Sequence, residues 1–210
     1  MQRGKLVVFE GIYGSGRLVV KLVNRLREAL VAQGIQVTEI DSPDGGRAQL
    51  MGASELDSFW RYGQFMSDFF FELASRARVC TVTRTEQAAG RWVLCKGFTL
   101  SSLVYAQLKG HDWFREDLNV LEARARVVAG AGEVAADHTI FIDMAPAKAV
   151  DELGSKLVGV FKPEDLARQR QLYLEEIARL PAGQVTVIDG NGTEDAVFEK
   201  VLASVKALKQ

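Results

Sequence analysis

The stretch Lys5–Val20, KLVVFEGIYGSGRLVV, decides the fold. An apolar, β-branched run breaks into glycines after Phe9 and resumes with helical spacing, so it reads as strand, turn and helix. Gly11 and Gly16 stand at the spacing of the phosphate-loop pattern G-x-x-x-x-G-K-[ST], in which backbone N–H groups close around phosphate oxygens at a helix N-terminus. The candidate anion-binding set is therefore Gly11, Gly14, Ser15, Gly16, Arg17 and Leu18. Its last two members depart from the pattern. Arg17 stands where Lys would reach the phosphates, and Leu18, which cannot ligate a metal, stands where a hydroxyl would hold Mg²⁺.

Downstream, Val19, Leu22, Val23, Leu26 and Leu30 form one apolar stripe on a helix ending near Gly34. Strands are expected at Ile35–Ile40, Trp92–Cys95, Thr139–Asp143 and Val185–Asp189. Helices are expected over Leu56–Thr85, Arg115–Ala129, Pro146–Leu153, Glu164–Leu180 and Glu194–Leu208. DSPDGG, Asp41–Gly46, reads as a turn cluster, and Gly154–Pro163 as a loop between helices and a candidate lid. Five strands alternating with helices imply one α/β domain over residues 1–210, with a parallel sheet covered on both faces and ligands at the strands' carboxyl ends.

With 48% hydrophobic residues among 210, the chain can bury a full core. Its 26 basic and 27 acidic residues leave a net charge of -1, so no global attraction to nucleic acid or an anionic membrane is expected. Cys80 and Cys95 are too few for a disulfide framework or a cysteine-rich zinc site and read as core thiols. The sequence passes from MQRGK straight into a strand, and no apolar run approaches a membrane span. A cytoplasmic protein is expected. His111 and His138 lack ligand spacing and read as surface or capping residues; Asp143 reads as a structural strand-end acid, the alternative being a metal ligand.

The chain resembles the thymidylate kinases, P-loop nucleoside monophosphate kinases that move the γ-phosphoryl of ATP to dTMP. KLVVFEGIYGSGR is similar to the family's opening K-x-x-x-F-E-G-x-D-G-x-G-K, and FTLSSLVY to the segment after its D-R-Y. ADHTIFIDMAP and VIDGNGTEDAVFEKV extend the match to nearly the whole length. The resemblance implies a three-layer P-loop NTPase fold, with a five-stranded parallel sheet, a short lid and usually a homodimer. It also places Lys96, Gly97 and Phe98 at the family's D-R-Y, where the Asp helps to place metal and phosphates and the Arg pairs with phosphate. An ammonium ~4 Å from Mg²⁺ would disfavour it by about 4 kcal/mol per unit charge pair at an effective dielectric near 20.

On the acceptor side the resemblance matches Arg76, Ser101, Ser102 and Tyr105; the base-stacking Phe position holds Glu72, with Phe71 one residue off. The lid offers Lys156 and Lys162 but no Arg, while Arg168 and Arg170 on the next helix could reach inward. The leading reading is a degenerate member with no intact catalytic residue, its altered positions being Arg17, Lys96 and Gly97, that keeps the fold and a vestigial nucleotide site. The alternatives are an active kinase using ATP and Mg²⁺ with Arg17 as the phosphate cation, and a scaffold subunit with no ligand. The aromatic face of Phe59, Tyr62, Phe65, Met66, Phe69 and Phe70 suggests core or a dimer interface, as a homodimer or beside an intact kinase.

Overall fold

In the computed structural model, Leu6–Gly11 forms strand β1, whose first five residues are buried on both sides. Such a run is stable only at the centre of a covered sheet, and β1 is the middle strand. The structure describes residues 3–41, 65–108, 110, 115–120, 123, 134–153 and 161–209. The remaining strands are β2 (Val37–Asp41), β3 (Trp92–Lys96), β4 (His138–Asp143) and β5 (Val185–Asp189). They pair in the order β2-β3-β1-β4-β5, all parallel.

Helices α1 (Gly16–Val31), α2 (Phe65–Ala88), α3 (Thr99–Leu108), α4 (Pro146–Asp151), α5 (Pro163–Ala178) and α6 (Glu194–Lys206) fill the connections, with a further helical stretch at 115–120. Alternation along β1 divides the layers. Val7 and Phe9 pack with the α1 stripe and with Val197, Phe198, Val201 and Val205 of α6. Leu6 and Val8 face the opposite way, toward Val79 and Cys80 of α2 and Phe98. Beyond the loop, Ile12 joins Leu100 and Val104 of α3 with Leu166, Leu172 and Tyr173 of α5. This is the three-layer parallel α/β architecture that the sequence implied.

Several boundaries move. Pro163 is the first residue of α5, where its fixed φ and missing N–H suit a helix start, so the candidate lid ends earlier. The helix after Asp143 stops at Asp151 and the last one at Lys206, followed by a 3₁₀ turn over Ala207–Lys209. The turn after Asp41, the expected helical segment before Phe65, most of that after 120, lid residues 154–160 with Lys156, and His111 lie outside the described residues. So do the side chains of Phe65, Met66, Phe69 and Phe71. Cys80 and Cys95 are buried free thiols, and burial pushes the Cys95 thiol up. His138 is not a surface residue: only 8% exposed, it meets Thr186 Oγ1 at 3.2 Å, and burial lowers its pKa. Among the described residues, no helix is long and apolar enough to cross a membrane.

Candidate functional site

The carboxyl end of β1 opens into a cavity of about 410 Å³. The loop supplies Gly11, Gly14, Ser15, Gly16 and Arg17 to its wall; Lys96 and Gly97 come from the end of β3, Ser101 and Tyr105 from α3. The fold thus brings together candidate residues that lie far apart in sequence.

The loop is shaped from within. Ser15 turns back, donating through N and Oγ to Ile12 O at 3.0 and 2.7 Å. Gly14 has φ +91°, and a Cβ there would lie 2.1 Å from Ala149 O of α4, so the turn requires glycine. A Cβ at Gly16 would meet nothing within 4 Å. Among the described residues, the N–H groups of Gly14, Gly16, Arg17 and Leu18 have no acceptor. Four donors at a helix start, beside open space, are chemically suited to phosphate oxygens. Arg17 is exposed and has no ion pair among the described residues, so its guanidinium is available to the same anion. Tyr13 also lines the cavity. Its N–H donates to Gln169 Oε1 at 2.9 Å, and its ring stacks on Phe161 with centroids 4.7 Å apart, tying the loop to the entry of α5.

At the two positions where the resemblance expects help for a magnesium ion, the described residues do not fit one. Leu18 is half-buried against the apolar clusters on both sides of the loop. Lys96 Nζ lies 2.7 Å from Asp41 Oδ1, with the two residues in register on β3 and β2. Asp143, the acid ending β4, accepts from Arg170 Nε at 2.5 Å and Nη2 at 2.7 Å. That bidentate pair corrects the expectation that Arg170 could reach inward as a phosphate cation. Arg168 and Lys162 are exposed, and the Lys162 N–H is held by Asp165 Oδ2 at 2.8 Å. Among the described residues, no group of three His, Cys, Asp or Glu side chains could hold a metal.

Gly97 takes φ +74°, and its N–H donates to Phe9 O at 2.7 Å, so the backbone turns sharply where the resemblance expects an arginine. The amide of the next residue, Phe98, meets a residue of β1 to which the sequence pattern assigns no role. Glu10, 1% exposed, accepts from Phe98 N at 2.9 Å, from Ser101 Oγ, and from Tyr173 OH at 3.5 Å. Burial pushes its carboxyl up to about 7, against the opposing pull of Ser101 and the amides of Phe98, Ser101 and Leu100. Glu10 therefore fixes the N-terminus of α3, where a carboxylate also meets the positive end of the helix dipole. The available signal was an acid closing an otherwise apolar strand.

The acceptor-side residues are differently engaged. Ser102 donates to the buried Glu72, at the position where the resemblance expects an aromatic ring, and to Phe98 O at 3.0 Å. Arg76, 3% exposed, reaches Thr99 Oγ1 at 3.4 Å and lies 4.8 Å above the Phe98 ring. Of the candidate acceptor residues whose side chains are described, Ser101 and Tyr105 line the cavity and Arg76 and Ser102 do not; Gln169, Tyr173 and Glu152, which the sequence does not suggest, line it too.

The chain is similar over nearly its full length to bacterial thymidylate kinases. It is 27% identical over 210 residues to that of Psychrobacter sp. (strain PRwf-1), covering 98% of each chain. It is 29% identical over 212 residues to that of Nitrobacter winogradskyi, covering 97% of this chain and 89% of the other. With that of Nitratidesulfovibrio vulgaris the identity is 29% over 215 residues, covering 96% of each. No protein-family model matches the chain.

Proposed function

From the premise that the chain belongs to the thymidylate kinase family, we propose that it is a degenerate member: it binds nucleotide or phosphate through its loop backbone but has lost phosphoryl transfer. The observation that carries this reading is the Lys96–Asp41 ion pair beside the cavity, 2.7 Å long. Phosphoryl transfer depends on cations at the β/γ oxygens, a bridging Mg²⁺ and in-line positioning. Here a lysine ammonium stands where the resemblance expects an acid, Leu18 packs half-buried against the core, and Asp143 is paired with Arg170. Mg²⁺ would supply charge neutralisation of the phosphates when bound, and among the described residues Glu152 is the one carboxylate lining the cavity.

What remains is an anion cradle. The N–H groups of Gly14, Gly16, Arg17 and Leu18, with the Arg17 guanidinium, can hold phosphate oxygens without metal. ATP affinity should then change less than about threefold between excess EDTA and millimolar Mg²⁺, measured by calorimetric titration. Binding about tenfold tighter with Mg²⁺ contradicts this.

The uncommitted Arg17 favours a second reading, an active nucleoside monophosphate kinase in which it replaces the loop lysine and ATP and Mg²⁺ are cofactors. The acceptor side argues against it, because Glu72 and Ser102 satisfy each other where a thymine ring would stack. We further propose a homodimer in the cytoplasm. The exposed Phe70 of α2, at 61%, supports an association surface on that helix.

A further inference from the structure

A polar triangle stands behind the wall of the phosphate-loop cavity. Glu10 Oε2 accepts from Ser101 Oγ and from Tyr173 OH at 3.5 Å, and the two hydroxyl oxygens are 3.0 Å apart. Ser101 and Tyr173 line the cavity, while Glu10, fully buried, lies one hydrogen bond behind them. The hydroxyl protons make this arrangement two-sided. An ionised carboxylate only accepts, so Oε2 draws the Ser101 and Tyr173 protons inward and leaves oxygen lone pairs toward the cavity. A protonated carboxyl donates. Glu10 then supplies a proton to the pair itself, and the Ser101 proton is released to point at an anion in the cavity. Protonation also removes a buried negative charge beside the site, where low dielectric strengthens its repulsion of an anion.

We infer that Glu10 is a positioning residue that links anion binding in the phosphate-loop cavity to the uptake of a proton from solvent, with Ser101 as the hydroxyl that carries the change to the ligand. The inference rests on the reading of that cavity as an anion site. Burial, which lifts the Glu10 carboxyl to about 7, brings the exchange into an accessible range. The other charged and titratable groups on the elements around it have their own partners. On β3, Lys96 pairs with Asp41, and Cys95 is a buried thiol that burial pushes up. On β4, Asp143 is held by Arg170, and His138 meets Thr186. On α5, Glu176 holds Arg115 and Arg179; on α2, Glu72 accepts from Ser102, and Arg76 lies over the Phe98 ring. Tyr105 of α3, Arg17 and Glu152 line the cavity itself, so the test must separate Glu152 from Glu10.

The test is calorimetric titration of the full chain with sulfate in EDTA, between about pH 5.5 and pH 8.5; sulfate keeps a fixed charge over this range, whereas phosphate titrates within it. Affinity should fall about tenfold as pH rises through about 7, and buffers of different ionisation enthalpy should report proton uptake on binding. By reciprocity, carbon-13 NMR of the Glu10 carboxyl should show its midpoint raised by about one pH unit in saturating sulfate. Glu10→Gln imitates the protonated carboxyl, so its sulfate affinity should vary less than about twofold over the same range. Ser101→Ala leaves Tyr173 on Glu10 and should cut the pH dependence to less than about threefold. A pH-independent affinity in the unmodified protein, an unmoved Glu10 midpoint, or undiminished pH dependence in folded Glu10→Gln or Ser101→Ala protein would overturn the linkage alone, the Glu10→Gln result pointing to Glu152. No binding of sulfate or ATP at any pH would overturn the anion-site reading as well.

Discussion

Lys96 and Asp41 face each other across the β2–β3 pairing, Nζ to Oδ1 at 2.7 Å, at the carboxyl edge of the sheet where the phosphate-loop cavity opens. The lysine is therefore not a lone reversed charge but one half of a pair. Its side chain is 23% exposed and that of Asp41 50%, so the coupling should be modest. A double-mutant cycle with Lys96→Ala and Asp41→Ala should return about 0.5 kcal/mol by urea unfolding. Lys96→Asp would instead set two carboxylates together. That variant should lose about 1 kcal/mol in metal-free buffer, and combined with Leu18→Ser it should gain a magnesium dependence of ATP binding that neither parent shows.

Glu10 gives the stability profile a definite sign. Its carboxyl sits at about 7 in the fold against 4.5 for the ordinary side chain, raised chiefly by burial. The folded state therefore binds the proton more tightly. The resulting stabilisation is fully present below about pH 4.5 and is lost as pH rises through about 7. Across that window the unmodified protein should lose about 3 kcal/mol of unfolding free energy relative to Glu10→Gln. Parallel unfolding curves for the two proteins over the same range would count against a raised Glu10.

The loop glycines should separate fold from ligand. Gly14→Ala places a Cβ 2.1 Å from Ala149 O at φ +91° and should cost about 2 kcal/mol or more. Gly16→Ala meets open space, so stability should move by less than about 0.5 kcal/mol. Its methyl group would project where anion oxygens are expected, and ATP affinity should fall about tenfold. Thermal unfolding together with ATP titration of both variants distinguishes these roles.

Much of this architecture was legible in the sequence because it rests on local pattern. The apolar stripe Val19, Leu22, Val23, Leu26 and Leu30 is the buried face of α1, and Val185–Asp189 is β5 residue for residue. The strand–turn–helix form of the loop was legible for the same reason, since glycine spacing is a backbone signal. What sequence did not disclose were pairings through space. Arg170 is 27 residues from Asp143, Gln169 is 156 from Tyr13, and Tyr173 is 163 from Glu10. Nothing in the immediate surroundings of Arg170 tells a solvated arginine from one locked on a carboxylate. Only the return of α5 across the ends of β1 and β4 decides it.

Association should be visible in solution. Light scattering at micromolar concentration should report twice the 23.1 kDa chain mass, and Phe70→Arg should shift the protein toward monomer. A monomer under these conditions rejects the proposed dimer.

The most direct measurement is a coupled kinase assay with ATP, Mg²⁺ and dTMP, extended to the other nucleoside monophosphates. With Leu18 against the core, Lys96 on Asp41 and Asp143 on Arg170, the account predicts no turnover above background. Turnover of about 1 to 100 per second, the usual range for kinases, would contradict it and make Arg17 the working phosphate cation.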